Sequence, residues 1–396
     1  MKPNRVLSLI PQLAATLATA GFLTVSAQAQ GFDAGSNGSL GDVVITNDVQ
    51  IPLPPDGKLH FKSLTVVSNA YVSFTRNANN TPVYILSQGD VLLSGRLDVS
   101  GGNPFIGGPG LGGNGGFDGG RPGIGEMPPG DGRGPGAGKA GSGGGGAGSE
   151  SSPGIGVFLT RAVSVNATTN SGYPYGNAAL IPLIGGSGGG GAYTGGGGGG
   201  GGAILVASNT KIEFGASFGN ISATGGQWIG GYWNHGSGGA VKLVAPTIDG
   251  PTRIEVQTRG RGIEAGAGRV RMDAINYPAN LSQVYPQQSL SFGSMLATGL
   301  EGTAPRLAVI SLAGRDTTTN STPVILPNGS APQQPVVIQA ANFGTKVPIS
   351  IVINPDNGPE VIVESEIDNT GANPATRTIS IPIPANTPIK LNVWTR

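Results

Sequence analysis

The sequence predicts an all-β chain: a short right-handed parallel β-helix with a long glycine-rich insertion, followed by an antiparallel β-sandwich. Three observations point there. Period-two alternation recurs outside the glycine-rich zone with no convincing amphipathic helix, three segments of 22 to 26 residues share one frame, and after about Gly302 the glycine falls away and the alternation becomes regular.

Residues 1–29 read as an export leader. Lys2 and Arg5 form a basic head, Val6 to about Val25 an apolar stretch, and Ala27-Gln28-Ala29 a small-residue cleavage site. Pro11, Gln12 and several threonines interrupt the apolar run, which argues for cleavage over a spanning helix, so no transmembrane segment is expected after cleavage. Removing the leader leaves 21 basic against 22 acidic residues. That balance, with only 11% charged residues, offers no electrostatic footprint for nucleic acid. The absence of cysteine excludes disulfides, thiolate nucleophiles and cysteine-ligated metals.

The solenoid is expected over residues 30–280. Segments 81–102, 201–226 and 238–260 each run apolar strand, turn, apolar pair, glycine turn, alternating strand, glycine. That length suits one turn of a coil whose neighbours pair as parallel strands about 4.8 Å apart. With 58–74 fitting more loosely and 268–277 starting a last turn, five or six coils result. The glycine run before Ala203 and Gly236-Ser237-Gly238-Gly239 before Ala240 place glycine at the corner where the chain enters a coil. The insertion 103–202 is then a loop thrown out between two stacked coils. Its polyglycine either packs side by side through backbone contacts or stays mobile, and 156–169 is its one strand-forming stretch, suited to cover the solenoid's side.

The wording GDVLLSGRLDVSGG (89–102), GGGGGGAILVAS (197–208) and NISATGG (220–226) resembles the glycine-rich β-helical coils of exported bacterial surface proteins, including filamentous-haemagglutinin-like adhesins. The resemblance spans about residues 38–277. It implies a secreted or cell-surface protein, and no catalytic motif travels with it.

Residues 281–305 read as a linker and 306–396 as the sandwich. Val336, Ile338 and Ala340 share a face, as do Ile349, Ile351 and Ile353; Val361, Val363 and Ile367; Ile379, Ile381 and Ile383; and Ile389, Leu391 and Val393. Asn357-Gly358 suits a hairpin turn, and Pro382 and Pro384 place their strand at an edge. The pattern is similar to immunoglobulin-like domains on exported bacterial proteins.

Catalytic motifs fail on inspection. Gly132–Ala140 has Arg133 where a phosphate loop needs glycine and alanine after Lys139, and Gly185–Gly189 matches a nucleophile elbow only because any serine in polyglycine would. Asp90, Asp98, Glu213, Asp249 and Glu255 read as scattered across frame positions, whereas a glycosidase needs two carboxyls facing one bond. Asp118 and Asp131 lack the dense oxygen spacing of a calcium site. No catalytic residue, metal ligand or cofactor is therefore expected. One cluster stands out: Trp228, Tyr232, Trp233 and His235 share a short loop, with Tyr173, Tyr175 and Tyr193 in the insertion. These rings either stack on sugars or pack against the glycine backbone. The function expected is an exported structural or adhesive cell-surface protein, not an enzyme, with polysaccharide or other surface components as partners and these four residues as candidate glycan contacts. The alternative is a β-helix polysaccharide lyase or glycoside hydrolase.

Overall fold

The fold is given by a computed structural model, which describes residues 32–105, 107–141, 172, 174–193, 195–215, 219–227, 234–258, 266–277, 283–302, 304–317, 324–355, 361–384 and 387–395. Apart from one 3-10 turn at Gln287–Ser289, every regular element among them is a β-strand.

The strands come in triplets. The first coil is β1 (Asp42–Ile45), β2 (Val49–Pro52) and β3 (Lys58–Phe61); the second is β4 (Ser63–Val66), β5 (Tyr71–Thr75) and β6 (Val83–Ser87). The third is β7 (Val91–Leu93), β8 (Arg96–Asp98) and β9 (Ala203–Ser208), with the insertion between its last two strands. The fourth is β10 (Lys211–Phe214), β11 (Asn220–Ser222) and β12 (Ala240–Val244), and the fifth β13 (Thr247–Asp249), β14 (Arg253–Glu255) and β15 (Arg269–Asp273). A partial sixth holds β16 (Gln283–Tyr285) and β17 (Leu290–Gly293). Each strand pairs in parallel with its counterpart one coil away, giving sheets β1-β4-β7-β10-β13, β16-β14-β11-β8-β5-β2 and β17-β15-β12-β9-β6-β3. This is a three-sided parallel β-helix. Pairing runs on through Gly293, into the stretch read as a linker, because Val284 and Leu290 extend the inward apolar ladders that the short 283–293 alternation only hints at.

Those ladders are the core. Leu64, Val91, Ile212 and Ile248 stack in the first sheet, Val72, Leu97, Ile221, Ile254 and Val284 in the second, and Val83, Ile204, Val241, Val270 and Leu290 in the third. Parallel pairing in register places like on like, so one apolar position per strand builds a continuous column; each fully buried aliphatic contributes about 1.5–3 kcal/mol. Corners are tight. Gly250 turns the chain from β13 to β14 at φ +87°, where a Cβ would lie 1.9 Å from the Phe214 carbonyl oxygen.

The third sheet is buried on both faces. Leu86, Leu205, Ala207 and Val244 point outward under Ala34, Leu183, Leu296 and Leu300, which is why AILVAS and AVKLV read as unbroken apolar runs. The expected cover, 156–169, lies outside the described residues; residues 180–184 and 296–300 cover this face.

The chain ends in two antiparallel sheets that share a core. Strands β18 (Arg306–Leu312), β19 (Arg315–Asp316), β20 (Gln333–Ala341), β21 (Lys346–Pro355), β22 (Val361–Asp368), β23 (Ala375–Pro382) and β24 (Ile389–Thr395) order as β19-β18-β20-β23 and β22-β21-β24. Val336, Ile338, Ile349, Ile351, Ile367 and Ile381 face one another between the sheets. The proline-bearing β23 lies at an edge. β21 and β22 pair as neighbours, and the expected Asn357-Gly358 turn lies outside the described residues.

Lys242, outward on β12, is fully buried and its Nζ has no hydrogen-bond partner. Burial pushes its ammonium down to about 8, against the pull of Asp273 and Glu301. Between about 8 and the ordinary 10.5 the unfolded chain keeps a proton that the fold has released, so stability rises with pH across that window, by about 3 kcal/mol. Lys242→Met is expected to abolish that rise and to raise the melting temperature at pH 7 by several degrees; a lower melting temperature would contradict it.

Candidate functional site

The glycines of the insertion form a packed bundle. From Gly197 to Gly202 every N–H donates and every carbonyl accepts: 197 and 200 donate to Gly120 and Phe117, 198 and 201 to Asn234 and Ser237, 199 and 202 to Gly102 and Val99, at 2.7–3.1 Å. Their carbonyls accept from Gly110, Gly189, Gly226, Gly113, Gly186 and Ala240. Each partner segment recurs every third residue, the repeat of an extended three-fold helix. The segment 197–202 is thus surrounded on all sides by backbone, and no side chain fits: a Cβ at Gly199 would sit 2.0 Å from the Leu111 oxygen, and one at Gly200 2.0 Å from the Gly186 oxygen. Of the two options the composition left open, the packed one holds.

The bundle stands on the corner between the second and third sheets, where β8 and β11 end and β9 and β12 begin. Segments 99–102, 117–120 and 186–189 run against 197–202, while 110–113 and 234–237 run with it. The turns they require at the low-numbered end of 197–202, residues 103–109, 121–129 and 192–195, therefore gather at the bundle's far tip. Phe105 and Gly108 close the first turn, Ile124 and Met127 the second, Ala192 and Gly195 the third. Gly123 N donates to the Ala192 oxygen, and Gly196, just past the third turn, lies against Gly108 and Pro109 of the first, so the turns adjoin. Phe105 and Ile124 are 62% exposed and Tyr193 45%. The Phe105 ring lies over Gly108 and the Tyr193 ring over Gly123, each where a Cβ would stand, so these rings rest on glycine backbone and show their other side to solvent.

Of the residues singled out from sequence, Trp228, Tyr232 and Trp233 lie outside the described residues, as does Tyr173. His235 is buried on the 234–237 segment, and burial pushes its imidazole down to about 4. Tyr175 is interior too: its hydroxyl donates to the Gly185 oxygen at 2.6 Å and accepts from Ser187 Oγ. Phe105 and Ile124 were missed, since a lone apolar residue among glycines carries no periodic signal.

The solenoid carboxylates line up more than the sequence reading allowed. Asp98 and Glu255 occupy one ladder of the second sheet, either side of Ser222, and Glu213 faces Asp249 across neighbouring strands of the first. Each pair shares one frame position, Asp98 and Glu255 just after Leu97 and Ile254, Glu213 and Asp249 just after Ile212 and Ile248; the longer turn of the intervening fourth coil, which places Ser222 between Asp98 and Glu255, obscures that match in sequence. Asp98 is paired with Arg96 at 2.7 Å, Glu255 with Arg253 at 2.7 Å and Glu213 with Lys211 at 2.6 Å.

Asp118, weighed above as a calcium ligand, is instead an ionic tie. Its carboxylate meets Arg76 and Lys390, each at 2.6 Å, and accepts from Gly112 N; Asp131 pairs with Lys139 at 2.9 Å. Lys390 sits on β24, and the Trp394 ring of the same strand meets Phe117 edge-on at 5.9 Å. Arg133 also hydrogen-bonds Asn354. The bundle is thereby held to both the solenoid and the sandwich.

Compared with protein-family models, curated proteins and solved structures, the chain matches none. Among the described residues no helix is long and apolar enough to cross a membrane.

Burial alone would raise the Asp118 carboxyl, but Arg76 and Lys390 outweigh it and hold the group at about 2, below the ordinary 3.8. Its contribution is present above pH 3.8 and is lost as pH falls through 2, about 2 kcal/mol. Asp118→Asn is expected to lower stability by about that amount at pH 7 and to flatten the loss between pH 4 and 2, read by denaturant unfolding at each pH.

Proposed function

We propose that this chain is an exported structural or adhesive component of a bacterial cell surface, without catalytic activity, that works by contact at the tip of its polyglycine bundle. One observation carries the reading: a backbone-bonded bundle projects from a solenoid corner and displays Phe105, Ile124 and Tyr193 on adjoining turns at its far end. Adjoining exposed apolar side chains on a charge-poor chain suit an interface. The leader-like residues 1–29 support export, the solenoid supplies a stiff base, and the sandwich is read as an immunoglobulin-like unit. Glycans and other surface components are the partners proposed, with Trp228, Tyr232 and Trp233 as further candidate contacts; the buried His235 is not among them.

The alignment of Asp98 with Glu255 favours a second reading, a β-helix carbohydrate-active enzyme. Their salt bridges to Arg96 and Arg253 weigh against it, because they engage carboxylate oxygens that a glycosidase would turn to the sugar.

Labelled protein is to be measured for binding to bacterial cells and to a polysaccharide array, with reducing-end release followed in the same wells. The triple variant Phe105→Ser, Ile124→Ser, Tyr193→Ser is expected to lose at least tenfold in binding to bacterial cells while keeping its melting temperature. Undiminished binding would remove the tip from the account, and released sugar ends would overturn the non-catalytic reading.

A further inference from the structure

The three outer faces of the solenoid differ. The third lies largely under aliphatic cover, whereas the second carries no aliphatic side chain on five consecutive rungs from β5 to β16; Ser222 at its middle is buried, and the Arg96 and Arg253 side chains are about a third and a half exposed. Its outward positions form two ladders. One reads Tyr71, Arg96, Asn220, Arg253, Gln283, and the other Ser73, Asp98, Ser222, Glu255, Tyr285. Tyr71 (38% exposed) and Tyr285 (42%) stand at opposite ends, four rung spacings or about 19 Å apart along the axis.

The chemistry of this strip is specific. Each guanidinium is matched two residues on by a carboxylate, Arg96 with Asp98 and Arg253 with Glu255, so the strip is dense in fixed donors and acceptors yet has no net charge. Each terminal tyrosine lies beside an arginine, Arg96 at 5.5 Å from the Tyr71 ring centre and Arg253 at 6.0 Å from that of Tyr285, which orients the rings. At the middle, Arg96 and Asn220 occupy paired positions; Arg96 Nε and Asn220 Oδ1 lie buried beneath the surface, so a ligand would meet the other nitrogens of these two side chains.

We infer that the outer face of the second sheet binds an extended, uncharged polysaccharide lying along the solenoid axis, with Tyr71 and Tyr285 as stacking plates and Arg96, Asn220 and Arg253 as hydroxyl-binding groups. A polyol needs both donors and acceptors and no counter-charge, which is what paired arginines and carboxylates present; a polyanion would need cations that are not already neutralised. The rung spacing is close to the length of one hexose in an extended chain, so successive sugars meet equivalent positions. The inference rests on the adhesive reading only in taking the protein to work by contact, and it uses a different face.

The test is affinity electrophoresis of the full chain through gels containing hydroxyethylcellulose, dextran or mannan, with polygalacturonate as the acidic comparison. Retardation by a neutral polymer is expected, with Tyr71→Ala plus Tyr285→Ala weakening association at least tenfold and Asn220→Ala severalfold. Tyr285→Ala, at an exposed last rung, guards against misfolding as the cause, as do unchanged melting temperatures. The tip triple variant is expected to be retarded like the wild type. The inference is overturned if no neutral polymer retards the protein, if only polygalacturonate does, or if retardation survives the tyrosine changes. Retardation lost only with the tip variant would overturn it while leaving the adhesive reading standing.

Discussion

The close approach of glycine backbones is the constraint on which the rest depends. Buried irregular chain is ordinarily forbidden, because each N–H and C=O removed from water must find a partner. Along 197–202 those partners are other extended segments, and they reach bonding distance because nothing projects between them. Removing side chains thus does for this bundle what burying them does for a usual core. The rung-to-rung pairing of β8, β9, β11 and β12 pins the entering and leaving chains at one corner, so the loop-closure entropy of a long insertion is spread over many short returns.

Dense backbone bonding also stiffens what it joins. The turns at the tip are short, each closed by its own pair of hydrogen bonds, and are carried at the end of a rod instead of on a wandering loop. Among the ionic contacts of the described residues, that of Asp118 with Arg76 and Lys390 joins three parts of the molecule at one carboxylate. A contact-displaying protein gains from such stiffness, since little conformational entropy remains to be lost on binding.

The solenoid contributes through the contrast between its faces. In-register stacking repeats whatever a frame position carries, so one face accumulates leucine, alanine and valine and is covered, while another accumulates arginine, asparagine, serine and carboxylate. Repetition turns a two-residue pattern within a strand, such as Arg96-Leu97-Asp98, into a strip about 19 Å long.

Much of this was legible in the chain. Leu97, Ile221 and Ile254 betray their ladder by recurring in three segments of one frame, Ile349, Ile351 and Ile353 declare a sandwich strand by alternation, and Pro382 marks an edge, because short-range periodicity and proline geometry are local properties. The strands at Arg306–Leu312 and Gln283–Tyr285 carry no comparable signal, being too short or too ambiguous to rise above their surroundings. The sequence by itself determined that the chain is all-β, coils in parallel and needs glycine at one corner. Only the tertiary structure decided that the glycines pack into a bundle, that the turns bearing Phe105, Ile124 and Tyr193 gather at its tip, and that Asp98 and Glu255 share a ladder, because those relations depend on contacts between residues far apart in the chain, and composition records which residues are present but not which of them touch.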